Sequence, residues 1–200
     1  MSYSIIGTGT VGSTLASLFA NAGIEVSLAN TRGADAVRPM ARQLGRSVLA
    51  KSLEEALKAD VIFFAVPFLQ FKEVAAALPD WTGKMVIDVT NAFMLPVEVQ
   101  QAELNARLSS EVNAERVAGA KLVKAFNQLP MKVLSSPVPA GGKRVVFVSS
   151  DHTDASEKVA CLAEELGFAA IEVGKIGEGG RLIQARNALV FQNLVKFEKQ

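Results

Sequence analysis

The sequence predicts an α/β fold: a doubly wound, mostly parallel sheet with helices on both faces and a short C-terminal helical portion. Three observations carry this prediction. Short β-rich apolar runs alternate with stretches of helical period along the 200-residue chain. One run, residues 61–66, has no polar residue to turn toward water, as a strand covered on both faces requires. A glycine-rich turn at residues 7–12 joins the first run to the first helix.

Residues 2–6 are a short apolar run ending at glycine. Val11, Leu15, Leu18, Phe19 and Ala22 then form one stripe of a helix that Gly23 stops. Residues 24–29 supply a second strand, 34–44 a helix and 47–49 a short strand, and Ser52 with Glu55 makes a capping box before another short helix. Strands at 61–66 and 84–89 flank a helix at 68–78 closed by Pro79. Residues 96–110 read as helical, with a polar exit at 109–115 that suits a surface insertion without a functional role. Strands at 121–126, 144–149 and 169–173, a helix at 154–166 ended by Gly167 and a helical tail at 180–197 complete seven or eight strands. Residues 1–175 thus form one domain and 176–200 a C-terminal helix, whose Leu182, Ile183, Leu189, Val190, Leu194 and Val195 either offer a homodimer face or are buried on the chain's own sheet.

Twenty-one Lys and Arg against 20 Asp and Glu leave a net charge of +1, too little field to gather nucleic acid or an anionic membrane. The single cysteine, Cys161, excludes an intrachain disulfide and a cysteine-cluster metal site, and reads as a small buried helix residue. No Lys or Arg precedes Arg32, and the longest uncharged apolar run, residues 61–69, is far short of the ~18 residues that span a bilayer. The expectation is a cytoplasmic protein with no nucleic-acid and no membrane partner.

Gly7-Thr8-Gly9-Thr10-Val11-Gly12 is G-x-G-x-x-G after a strand and opening a helix, the setting in which that spacing binds a dinucleotide. The first glycine permits the tight turn, the second lets backbone approach a pyrophosphate and the third lets helix pack on strand. The phosphates then meet free N–H groups at the positive end of the helix dipole. This is the fingerprint of a Rossmann-like NAD(P)-binding fold. Sites for NAD place a carboxylate about 20 residues after the loop to hold the ribose 2′-hydroxyl. Here Asn30-Thr31-Arg32 stand there instead. Thr31 can donate a hydroxyl hydrogen bond and Arg32 can pair with a 2′-phosphate; a charge-assisted bond of ~1.5–3 kcal/mol favours NADP over NAD by roughly ten- to a hundredfold.

Ala65-Val66-Pro67-Phe68 and Val89-Thr90-Asn91 end two strands on the carboxyl edge, where ligands bind in such sheets, and are placed beside the ribose and nicotinamide with Phe68 as a hydrophobic wall. Acid–base apparatus is sparse. The sole histidine, His152, lies far from that edge, Tyr3 sits in the first strand, and no nucleophile triad or metal spacing stands out. A hydride acceptor that needs no protein acid suits this poverty.

With the glycine loop, Asn30-Thr31-Arg32, Val86-Ile87-Asp88-Val89-Thr90-Asn91, Lys124-Ala125-Phe126-Asn127 and Gly179-Gly180-Arg181-Leu182 in this order, the sequence resembles the NADPH-dependent F420 reductase (F420:NADP oxidoreductase) family over nearly its whole length. The resemblance implies a Rossmann-like domain that binds NADP, a C-terminal portion that completes a deazaflavin pocket, and dimerisation. It also implies direct hydride transfer without a protein nucleophile. By motif, Gly7, Thr8, Gly9, Thr10, Val11 and Gly12 are similar to the pyrophosphate loop, Thr31 and Arg32 to the 2′-phosphate site, and Pro67, Phe68, Asn91 and Asn127 to the nicotinamide surroundings. Members commonly follow that asparagine with small residues; here Gln128-Leu129-Pro130-Met131 stand. Related NADPH-oxidising domains attached to membrane ferric reductases pass electrons to flavin, so flavin stays open beside coenzyme F420 as second substrate.

The reading is an NADPH-dependent oxidoreductase transferring hydride between NADP(H) and a small-molecule deazaflavin or flavin-like acceptor. The alternative is an NADP(H)-sensing protein without turnover. A β-hydroxyacid or imino-acid dehydrogenase shares the pattern of the first ~100 residues, but its usual all-helical C-terminal domain does not fit this length.

Overall fold

In the computed structural model, which describes residues 1–92 and 95–197, the apolar run beginning at residue 61 forms a strand buried along its whole length. That strand, β4 (Val61–Phe64), lies between β1 (Tyr3–Ile6) and β5 (Met85–Asp88). The sheet extends on one side to β2 (Val26–Ala29) and β3 (Val48–Ala50), and on the other to β6 (Lys121–Ala125), all parallel. The connection after β6 brings β7 (Gly142–Ser150) back antiparallel to it; β8 (Ala169–Glu172) is parallel to β7. Strand order is therefore 3-2-1-4-5-6-7-8, and the chain leaves β1 in one direction and β4 in the other. The crevice at their carboxyl ends is the switch point where such sheets bind ligands.

Period-two alternation sorts the buried side chains into two layers. Ile5, Phe63, Ile87 and Val123 face α1 (Thr10–Asn21), α2 (Ala34–Leu44), α7 (Met131–Leu134) and α8 (Thr153–Glu165). Ile6, Ile62, Phe64, Val86 and Leu122 face α3 (Leu53–Ala56), α4 (Phe68–Ala76) and α6 (Ser109–Arg116). Phe19, Phe63, Phe126 and Phe168 form a line of ring contacts, each with centroids 5.6–5.9 Å apart, through the first layer. Ser52 and Glu55 form the expected reciprocal capping box on α3. Among the described residues no helix is long and apolar enough to cross a membrane.

Three expectations are corrected. The stretch at 96–110 is two helices, α5 (Val97–Leu104) and α6, and the supposed polar exit at 109–115 is α6 itself. Ser109, Ser110 and Asn113 are buried; Ser109 donates its N–H to Gln184 Oε1 and Asn113 its Nδ2 to Asp88 inside the fold rather than to water. The tail at 180–197 is not one helix. A π-helical turn, Ile176–Gly180, runs into α9 (Arg181–Ile183), turns follow, and β9 (Val195–Phe197) pairs antiparallel with the start of β7. Ile183 and Leu189 pack on Val145, Phe147 and Ala169, while Leu182 and Leu194 are exposed, so the six apolar residues do not share one helical face. Residues 198–200 of the expected C-terminal portion lie outside the described residues. Cys161 is exposed on α8 rather than buried.

The seam between α1 and β1 has no spare room: a Cβ built on Gly12 falls 1.9 Å from the Gly7 carbonyl oxygen. Gly12→Ala must push α1 off the sheet, and a loss of about 1–3 kcal/mol is expected in urea denaturation. A stability equal to that of the unaltered protein contradicts this packing.

Candidate functional site

The glycine turn is built by sterics on both sides. Gly7 has φ +119°, donates its N–H to the Ala29 carbonyl at 2.8 Å, and would place a Cβ 2.2 Å from the Ala65 carbonyl oxygen. Gly9 precedes α1, where no side chain caps the helix and no acidic residue occupies the first turn. A Cβ on Gly9 would meet no protein atom within 4 Å. The first-turn amides thus face open space with a partial positive charge.

Asn30 braces this turn to the end of β2. Its Nδ2 donates to Thr8 Oγ1 at 3.0 Å and its Oδ1 accepts the Arg32 N–H at 2.9 Å. Thr31 and Arg32 are exposed beyond it, and the Arg32 guanidinium has no partner among the described residues. Arg38 on α2 instead pairs with Asp35 at 2.7 Å. A pocket of about 180 Å³ runs from Arg32 and Thr31 past Gly9 to Ala65 and Pro67. A second, of about 340 Å³, shares Gly9, Ala65, Val66 and Pro67 with it and continues to Phe68, Val89, Thr90 and Asn91. A third, of about 300 Å³, shares Thr10, Val11, Val89 and Asn91 with the second and ends on Asn127. Fifteen of the sixteen expected site residues line this continuous trough; Gly12 packs behind it.

Two of the fifteen hold the wall rather than face into it. Phe68 is buried against Ala92, Leu104 and Val112, with the Arg116 guanidinium 4.8 Å from its ring centre. The Thr90 hydroxyl turns inward and donates to Asp88 Oδ1 at 2.7 Å.

Asp88 and Lys124 stand opposite each other in the β5–β6 register and are both fully buried. Lys124 Nζ donates to Asp88 Oδ2 at 3.1 Å and to the Thr90 carbonyl; Asn113 Nδ2 donates to Asp88 Oδ2 at 3.1 Å, and the Thr90 N–H to Asp88 Oδ1 at 2.9 Å. Burial holds the Lys124 ammonium below the ordinary lysine range, with Asp88 opposing that shift. The network continues outward from Asn113 Oδ1, which accepts from Arg116, to Glu103 and Lys72. It fixes the tips of β5 and β6 together. Sequence reasoning missed this pair, although its signal was present: one aspartate and one lysine in runs otherwise apolar enough to be buried strands.

The third pocket differs from the other two. Leu129, Pro130, Met131, Val190 and Phe191 make its far wall, and none was expected there. Its described lining contains no Asp, Glu, His, Lys, Tyr or Cys. Asn127, 5% exposed, donates through Nδ2 to the Ile183 carbonyl at 2.7 Å and to Asn91 Oδ1 at 3.2 Å, while its Oδ1 is buried and accepts nothing. Five described non-glycine residues have left-handed backbone, and three of them, Phe126, Arg186 and Phe191, line this one cavity. Such conformations cost of order 1–3 kcal/mol each and gather at ligand sites.

Comparison with known proteins extends this geometry. Residues 2–92 match the family model of NADP oxidoreductases that are coenzyme F420-dependent. A hypothetical protein from Sinorhizobium meliloti is 40% identical with a TM-score of 0.90, over 98% of this chain and 96% of that one. A candidate F420-dependent NADP reductase from Arthrobacter sp. FB24 is 27% identical with a TM-score of 0.71, over 88% and 86% of the two chains. Metalloreductase STEAP3 of Rattus norvegicus is 27% identical over 124 residues, 62% of this chain but only 24% of the rat protein, so the likeness spans about a quarter of that relative.

Removing the lysine from the buried pair leaves an uncompensated carboxylate. Lys124→Met is expected to lose about 3–5 kcal/mol in urea denaturation, and Lys124→Met with Asp88→Leu to recover much of that loss. A single variant as stable as the parent contradicts the assignment of a buried ion pair.

Proposed function

The chain belongs to the family of coenzyme F420-dependent NADP oxidoreductases and is an NADP-dependent oxidoreductase of Rossmann type, and on that premise we propose that it passes hydride from NADPH to a deazaflavin or flavin-like ring held in the apolar cavity. The observation that carries this reading is the continuity of the trough: a cationic end at Arg32, an open amide cradle at Gly9, and an apolar end whose described lining has no side chain suited to proton transfer.

The residues present fit NADP on two independent points. The open space over Gly9 admits a diphosphate against the first-turn amides of α1, where any other residue would place a Cβ. The orphaned Asn127 Oδ1 gives an amide N–H donor, such as the nicotinamide carboxamide, a buried acceptor that is otherwise unsatisfied. In this reading Thr31 and Arg32 hold the 2′-phosphate, Thr8 to Val11 the diphosphate, Ala65 to Pro67 the ribose, and Asn91 with Asn127 orient the nicotinamide. When bound, NADPH supplies the hydride. The protein's own part is to bind, to orient and to keep water from the apolar end. No described residue of the cavity lining is suited to take or give a proton at the reacting ring, and hydride transfer between two conjugated rings needs none at the reacting carbon.

Arg32→Ala is expected to weaken NADPH by roughly ten- to a hundredfold while leaving NADH nearly unchanged, as read from the fluorescence of the reduced nucleotides on titration. Equal losses for both would take Arg32 out of the 2′-phosphate site. The unaltered protein should oxidise NADPH when offered a deazaflavin or flavin mononucleotide. Tight NADPH binding without turnover on either would favour a sensing role and overturn the proposal.

A further inference from the structure

We propose that Phe191 is a stacking platform for the acceptor, a residue that binds one face of a planar conjugated ring at the mouth of the apolar cavity; this rests on the ring-acceptor reading above. Phe191 lines the cavity next to Met131 and Val190, yet is 63% exposed, so its ring adds little to the folded core. Its backbone is nonetheless held hard. The N–H donates to the Gln128 carbonyl at 2.8 Å, and Gln128 is fully buried with its Nε2 donating to the Val145 carbonyl at 3.0 Å. Val190 beside it is buried, and Leu189 N–H donates to the Leu182 carbonyl at 3.0 Å.

The conformation sharpens the point. Phe191 has φ +64°, a region that glycine occupies at no steric cost and a phenylalanine does not. A fold that required only the turn would be more stable with glycine there, and one that required only apolar burial would hide the ring. An exposed aromatic pinned in a strained conformation beside an open cavity meets neither need, whereas a ring of another molecule lying on its face gives the exposed side chain a contact to make. The second observation at the same cavity is the buried, unpartnered Asn127 Oδ1, which gives the site a polar reference point at its inner end.

The test compares Phe191→Ala, Phe191→Leu and Phe191→Tyr in the full chain, with flavin mononucleotide and a deazaflavin as probes. Fluorescence quenching of each probe by the NADP⁺-loaded protein gives its affinity, and steady-state NADPH oxidation gives its KM. Phe191→Ala and Phe191→Leu are expected to weaken the probe and raise its KM by about ten- to a hundredfold, the range that ring stacking supports, while Phe191→Tyr stays near the parent. NADPH affinity and Tm should not fall in any of them. Probe affinity unchanged across the three variants, a parallel loss of NADPH affinity, or a KM change that merely follows a change in association state by sedimentation would overturn the platform. Failure of the unaltered protein to bind or reduce either probe would instead sink the ring-acceptor reading on which it rests.

Discussion

The contact between the Lys124 ammonium and the Asp88 carboxylate, buried where no water reaches, is the constraint on which the functional edge of the sheet depends. Two charges taken out of water are costly, and they are tolerable here because each finds further partners: Thr90 and Asn113 for the carboxylate, the Thr90 carbonyl for the ammonium. Satisfying those partners fixes the path of the chain as it leaves β5. Thr90 is drawn inward, and Asn91 is left at the rim, where it exchanges hydrogen bonds with Asn127 at the exit of β6. Asn113 carries the same constraint to α6 and, through Arg116, to the ring of Phe68 at the start of α4. The wall of the trough is therefore a rigid consequence of a charge that must not be left alone.

The trough itself divides by chemistry. At its first end, sterics forbid side chains at Gly7 and Gly12 and leave Gly9 open, so backbone amides and a free guanidinium form an electropositive lip suited to phosphate. At its other end, Leu129, Met131 and the segment around Val190 enclose an apolar space floored by Phe126, whose left-handed backbone turns the chain sharply after β6. A long ligand that is anionic at one end and aromatic at the other suits this gradient.

Much of this was legible in residues whose local rule and tertiary role agree. The glycine spacing, the missing carboxylate at Asn30-Thr31-Arg32 and the two-sided apolar strand at residue 61 each mean the same thing locally and in the fold. The features that escaped are those set by distant partners. Asp88 and Lys124 are 36 positions apart and meet only through strand register. Residues 109–115 look solvated because Ser109, Ser110 and Asn113 are polar, but all three are buried, and the partners of Ser109 and Asn113 lie inside the protein. The tail has helical spacing, yet the edge offered by the start of β7 captures Val195–Phe197 as a strand, and Val190 and Phe191 are turned onto the cavity instead.

Reduction of a deazaflavin by NADPH deuterated at C4 of the nicotinamide, each epimer in turn, tests direct transfer along this trough most plainly. One epimer should deliver its deuterium to the reduced deazaflavin and the other should retain it on NADP⁺, because a nicotinamide oriented by the wall presents a single face to the cavity. Deuterium lost to solvent, delivered from both epimers alike, or never transferred from either would contradict the account.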